Sequence, residues 1–557
     1  MTAAADLVLT NAEVHTLGSP DETHEAVAVR DGEVVRVGRA FDVELLAGVE
    51  TRVVDCGGRV VLPGFVDAHT HLPMVGRSLV HADLSAADSA ADAVELLRER
   101  AAEVERGTES DDGGSGDDGA SGGETDDGTD WVLGYGYDES TWDDSRYLTR
   151  DDLDAVSESL PVVAFREDLH TAGVNSVVLD RYADEMPDSG VQTAGDGGPS
   201  DGDGDGDAAA EPTGVVVEGA VDVLREATEP GREEMTELVR AAQSYATARG
   251  VTGVHDMVRG SRAPEVYRDL AEAGELALRV RINYWSDHLD ALREVGLRTN
   301  HGGGSRDGLV TVGAIKTFTD GSFGGRTAKL TEPYADAADD ADAADDETGQ
   351  WVVAPEELRD LVADADESGY QLTAHAIGDA AVDAVLDAYE ETDDPGAARH
   401  RVEHVELASD EAIERFAESG VVASVQPNFL KWADEGGLYD ARLGERRLRT
   451  NRYRDLLDAG VDLAFGSDCM PLGPLLGVDL ATDHPNPDQS LTVTEALRAY
   501  TSGAAHAGFD EGRLGTVAVG TAADLVVLDE SPWEADSIRD IAVSMTVVDG
   551  RVVFERD

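Results

Sequence analysis

Residues 60–72 read VVLPGFVDAHTHL, an apolar strand pattern that ends in His69-Thr70-His71. Residues i and i+2 of a strand share a face, so the two imidazoles can converge on one point. Seven more strand patterns follow: 251–257 (VTGVHDM), 278–285 (LRVRINYW), 309–318 (LVTVGAIKTF), 370–376 (YQLTAHA), 401–406 (RVEHVE), 421–427 (VVASVQP) and 461–468 (VDLAFGSD). Most lead into helical periodicity, as in PEELRDLVADADESG and DAAVDAVLDAYEE. Strands alternating with helices imply a parallel sheet. Eight in this order predict an α/β fold, a (β/α)8 TIM-like barrel.

Outward from that core, residues 72–250 form a long excursion after the first barrel strand, with strand-like pieces of its own in WVLGYGYD and PVVAFREDLH. The ends differ in style. Residues 1–60 and 508–557 alternate apolar and polar side chains around Asp-Gly and Gly-Gly turns, as in EAVAVRDGEVVRVG and MTVVDGRVVFERD. Hairpins are expected there, joined into one small composite β-sandwich, with the barrel spanning 61–507. Three acidic stretches, 107–130, 188–213 and 335–349, are too polar to bury and are expected as solvated loops. The DGDGDG run at 201–206 invites a calcium-loop reading, but the twelfth position of such a loop is Pro212 where glutamate is needed.

The 557 residues carry 44 Lys+Arg and 115 Asp+Glu, a formal charge of −71. Such a surface cannot neutralise phosphates, which excludes an electrostatic nucleic-acid binder and disfavours docking on anionic lipid. No apolar run reaches the roughly 18 residues of a spanning helix, and residues 1–20 lack a signal-peptide pattern. With Cys56 and Cys469 the only cysteines, no disulfide framework exists. A cytoplasmic protein acting on a small molecule is expected, with the oligomeric state, a homo-oligomer included, left open. Only Lys316, Lys329 and Lys431 are lysines. Dispersed carboxylate with little lysine is the pattern of a halophilic protein, whose self-repulsion concentrated salt screens.

Functional residues of a barrel lie at the C-terminal ends of its strands. There the sequence presents His69, His71, Lys316, His375, His404 and Asp468. Imidazole suits Zn2+ and related divalent ions. A bound ion lowers the pKa of water toward ~7, and paired ions can also polarise a carbonyl. A free ammonium would repel them, so Lys316 fits only as a neutral amine or with a carboxylate on its nitrogen. Asp468 is placed to take a proton and return it to a leaving group.

These residues, with PGFVDAHTHL (63–72), KTFTDGSFGGRTA (316–328), TAHAIGDAAVDAVLDAYE (373–390), RVEHVEL (401–407) and FGSDCMP (465–471), resemble the amidohydrolase superfamily, and within it the YtcJ-like amidohydrolase-3 branch. FREDLHTAGVNSVVL (165–179) and GRLGTVAVGTAADLVVLD (512–529) extend the resemblance over nearly the whole chain. It implies that His69 and His71 bind a first metal and His375 and His404 a second. It further implies that carboxylated Lys316 bridges them and that Asp468 is ligand and proton shuttle. The expected reaction is hydrolysis of a non-peptide C–N bond with one or two zinc-like ions. A mononuclear deaminase, a cyclic-amide ring-opening enzyme and a non-catalytic, metal-stapled scaffold are the alternatives.

Asp168, His170, Asp320 and Arg326 are weaker candidates for substrate contact, Arg326 as a clamp for a carboxylate. Ser322, His255, Asp256 and Gln426 also sit near strand ends. Lys329 and Lys431 read as surface residues, and Cys469 as a packed, inert thiol.

Overall fold

The computed structural model describes residues 4–111, 131–139, 142–167, 171–187, 190–193, 211–303, 308–337 and 347–556. The chain forms two compact units, one of Met1–Leu72 with Ala242–Asp557 and one of Pro73–Ala241. Most of the three acidic stretches, the DGDGDG run included, lies outside the described residues.

The first unit contains the barrel. Its strands are β1 (Phe65–Thr70), β2 (Val251–Val258), β3 (Arg279–Trp285), β4 (Val310–Phe318), β5 (Leu372–Ala376), β6 (Arg401–His404), β7 (Val422–Val425) and β8 (Leu463–Phe465). They pair in parallel in that order. The ring nearly closes where the Ser467 and Asp468 amides donate to the His69 carbonyl at 3.1 and 2.7 Å. Gly466 permits that approach, since a Cβ there would lie 2.4 Å from the His69 nitrogen. Near-continuous burial of the strands is what a parallel sheet covered on both faces requires.

The sequence reading treats 60–68 as one strand, and the structure corrects this. Val60–Pro63 pairs antiparallel with Leu525–Leu528, and the barrel strand begins only at Phe65. Gly64 makes the break possible, because a Cβ there would lie 2.2 Å from the Thr252 side chain. The expected strands 401–406 and 461–468 are also shorter, ending at His404 and Phe465.

Both chain ends feed two small sheets. A four-stranded sheet runs in the order 33–38, 26–30, 5–10, 47–55, and a six-stranded one runs 551–555, 543–548, 525–528, 60–63, 13–15, 23–24. Leu7, Leu9, Val27 and Val29 of the first meet Val61, Leu525, Val527 and Met545 of the second in one buried cluster. Each such side chain contributes about 1.5–3 kcal/mol on leaving water.

The second unit has a six-stranded sheet in the order 191–193, 212–217, 171–174, 162–166, 132–137, 82–83. Alternate residues supply two cores. Val132, Val162 and Ala164 pack with Leu97 and Trp142, while Leu133, Val163 and Phe165 pack with Val178 and Leu224. Buried Asn175 accepts from the Val162 and Val178 amides and donates to the Ser157 and Leu160 carbonyls. It caps the helix Ser176–Tyr182, so this residue of the 165–179 motif has a structural role. Among the described residues no helix is long and apolar enough to cross a membrane.

Candidate active site

Four imidazoles meet at the C-terminal mouth of the barrel. Ring centroids of His69 and His404 lie 4.9 Å apart, those of His375 and His404 4.4 Å, and those of His69 and His71 5.9 Å. Asp468 Oδ1 stands 3.3 Å from His71 Nε2 and 3.6 Å from His69 Nε2. His69, His404 and Asp468 each bring one ligand-type atom within 4.8 Å of the others.

Three rings have one nitrogen tied to a protein acceptor away from the shared centre. His69 Nδ1 donates to Glu403 Oε2 at 2.5 Å, His71 Nδ1 to the Met257 carbonyl at 3.0 Å, and His375 Nε2 to the Gly321 carbonyl at 2.9 Å. At His69 and His375 the acceptor fixes the tautomer, so the second nitrogen keeps its lone pair; His71 Nε2 faces the Asp468 carboxylate. Burial lowers the pKa of His69 and His404, and that of His375 to about 3, so these rings are neutral. At His71 burial also lowers the pKa, but the adjacent Asp468 outweighs it and the net shift is upward.

β6 carries two adjacent site residues, which a regular strand would point to opposite faces. The backbone resolves this by leaving the strand: His404 has φ 76° and Val405 φ 48°. Asp468 and Cys469, at φ 50° and 53°, turn similarly after β8. Strained conformations of this kind cluster at functional sites.

Lys316, 1% exposed, ends in an Nζ with no hydrogen-bond partner among the described residues. Burial lowers its pKa to about 8, against the opposing pull of Glu403 and Asp468. His404 Nδ1 is likewise buried without a partner. Buried polar atoms are almost always satisfied. Two orphans beside neutral imidazoles and a carboxylate suit a divalent cation, so this donor set fits one.

Glu403 escaped the sequence reading. It is fully buried, accepts from the Thr373 hydroxyl, and meets Arg401 Nη2 at 2.8 Å. Burial would raise its pKa, but Arg401, His69 and Lys316 together hold it well below the usual carboxylate range. A glutamate immediately before His404, in a strand read as buried, was the available signal. Asp67, also missed, accepts from the His69 and Ser467 amides and ties β1 to the loop after β8.

Several weaker candidates prove structural. Asp320 accepts from the Lys329, Ile377 and Gly378 amides at 2.7–3.1 Å, so both its oxygens are engaged in clamping the loops around His375. Arg326 does not reach into the site as a carboxylate clamp; its Nη2 and Nε bind Asp336 at 2.8 and 3.1 Å. His255 Nδ1 accepts from Arg401, and Asp256 accepts from the Leu72 amide and the Tyr267 hydroxyl. Ser322 braces its own turn, and Gln426 is buried against the Ser424 carbonyl. Lys329 is half-buried and donates to Thr348 and Gly349. Burial and the Asp468 charge raise the Cys469 pKa well above its ordinary value, as an inert thiol requires. Asp168 and His170 lie outside the described residues.

The sequence profile of the amidohydrolase family matches residues 52–554. The chain is 29% identical to YtcJ of Bacillus subtilis over 98% of both chains. It is 27% identical to the N-substituted formamide deformylase of Arthrobacter pascens over 100% of this chain and 99% of that one. A crystal structure of a metal-dependent hydrolase from Pyrococcus horikoshii superposes with a TM-score of 0.74 at 27% identity, covering 95% of this chain and 99% of the other. With the barrel, the metal-suited donor set and a match of this extent in hand, the chain belongs to the amidohydrolase family and is a hydrolase of carbon–nitrogen bonds.

Proposed function

We infer that the protein hydrolyses a small non-peptide amide, and that His69, His71, His375, His404, Asp468 and Lys316 would hold one or two divalent cations. One observation carries the reading: four imidazoles and a carboxylate converge beside a buried lysine nitrogen with no partner among the described residues. A relative that deformylates N-substituted formamides supports a small amide as substrate. When bound, the cation supplies Lewis acidity and water acidified toward neutral pH; zinc suits this imidazole set.

The chain's own residues do the rest. Glu403 holds His69 in one tautomer. Asp468 has its pKa raised by burial and lowered more strongly by His69, His71 and Lys316, so its carboxylate is ionised and ready to accept. Oδ1 takes the proton of the attacking water and passes it to the leaving nitrogen, which departs as a neutral amine. Lys316, its pKa brought down to about 8, has an accessible amine form. Its lone pair can add to CO2, forming an N–C bond and releasing one proton, which turns an orphaned donor into an anionic ligand.

A mononuclear reading draws support from the compactness of His69, His404 and Asp468 relative to the other ligands. The test is to strip the protein with chelator, restore Zn2+ in concentrated KCl, and assay N-substituted formamides and other small amides with metal counted per chain. Turnover that follows metal content is expected. Full turnover by metal-free protein would overturn the reading.

A further inference from the structure

The opposite, N-terminal end of the barrel holds a second concave site. A cavity of about 320 Å3 opens there, with Arg281, Asn300, Thr311, Phe509, Asp510 and Arg513 among its walls. We propose that this cavity binds a small organic anion through a carboxylate or phosphate group seated on Arg281. The inference is independent of the reaction assigned to the other mouth.

Arg281 is the central observation. It is 4% exposed, yet among the described residues Nε and Nη1 have no hydrogen-bond partner. Only Nη2 is engaged, by the neutral amide oxygens of Asn300 at 2.8 Å and Gln371 at 3.4 Å. Other arginines at this end have carboxylates. Arg279, two residues earlier on β3, is bound by Asp524 and Asp549, Arg399 by Glu511, and Arg401 by Glu403. Among the described residues Arg281 has no such ion pair. Asp510 acts on it only through space, against the like charges of Arg399 and Arg401; a buried guanidinium without a bound carboxylate is unfavourable, and an anion seated on it would supply charge and acceptors.

The rest of the cavity suits that ligand. Among the described residues Arg513 Nε is buried without a partner, while its Nη2 holds Asp510, the acid on the described part of the wall, at 3.1 Å. Phe509 presents a ring face to the guanidinium carbons of Arg399 and Arg281, 4.4 and 5.8 Å from its centroid. The space exceeds a bare ion, and the ring offers an apolar wall for the organic part. Phe509 is held at φ 59°, in the left-handed region that a bulky residue avoids. Gly508 before it has no room for a Cβ, which would lie 2.9 Å from His255 Nε2. The loop is therefore fixed over the cavity at a conformational cost.

Inorganic phosphate titrated into the metal-loaded protein at constant ionic strength, with Tm as readout, tests this. A saturable rise is expected for the wild type. It should vanish in Arg281→Met and weaken by roughly 10-fold or more in Arg513→Gln, with turnover in Arg513→Gln unchanged. Arg513 is partly exposed, so its variant keeps the test open if Arg281→Met fails to fold. A crystal soaked in selenate should show anomalous density at Arg281. No saturable response in the wild type, equal responses in wild type and Arg513→Gln, or selenate found only elsewhere would each overturn the proposal.

Discussion

His69 Nδ1 lies 2.5 Å from Glu403 Oε2, with the two side chains 1% and 0% exposed. The other oxygen of Glu403 is bound by Arg401 Nη2 at 2.8 Å and by the Thr373 hydroxyl. Arg401 in turn reaches the Ala68 carbonyl, Ser424 and His255. The floor of the site is thus one hydrogen-bonded network that begins at a strand base and ends on an imidazole.

Glu403→Gln should weaken this support without emptying the space. The amide cannot balance Arg401 or hold His69 with a full charge, so metal affinity should fall roughly 10–100-fold. Competition with a chromophoric chelator measures it. Glu403→Ala should cost more, about 3–5 kcal/mol of stability, because it strands Arg401 as a buried charge. Unchanged metal affinity in the glutamine variant would refute the positioning role.

Asp468→Asn separates proton transfer from assembly. The isosteric amide keeps the turn at φ 50° accessible, since asparagine tolerates that region. Turnover should drop about 100–10,000-fold, the ordinary worth of a positioned acid–base group. Circular dichroism and Tm should stay near the wild type. A variant with full kcat would remove Asp468 from the proton path.

Lys316 is tested by mass and by rescue. Active, metal-loaded protein should carry the mass of one added CO2 under native conditions and lose it on acidification. Bicarbonate during reconstitution should raise activity. Lys316→Ala should bind metal poorly and regain part of its activity with a short exogenous carboxylate. An unmodified lysine in fully active protein would exclude the carboxylated lysine as a ligand.

Much of this arrangement was legible because barrel strands announce themselves as apolar runs and histidines at their ends stand out. His69, His71, His375, His404 and Asp468 all emerge that way. Glu403 did not, because period-two logic places it on the face opposite His404. Only the turn of the backbone at His404 lets both serve one site. Asp320 differs for a related reason: an acid in a glycine-rich loop at the barrel mouth reads as a substrate contact, whereas three backbone amides, two of them buried, take it as their acceptor. The division of 60–68 at Gly64 depends on the approach of Thr252, a contact invisible in one dimension.

His484 gives a prediction about stability, away from the metal ligands. Its ring is 4% exposed, with Nδ1 accepting from the Asn486 amide at 2.9 Å and Nε2 donating to the Asn451 carbonyl at 3.1 Å. That pair of bonds fits only the neutral ring, and burial lowers the pKa from 6.5 to about 4. As pH falls below 6.5 the unfolded chain binds a proton at this position and the folded one does not, so stability drains away until about pH 4 and then levels. The shift corresponds to a loss on the order of 3 kcal/mol across that window. His484→Gln should start less stable at pH 7 but show a flatter Tm profile between pH 6.5 and 4. An NMR titration of the folded protein that finds this ring protonating near pH 6.5 would rule the account out.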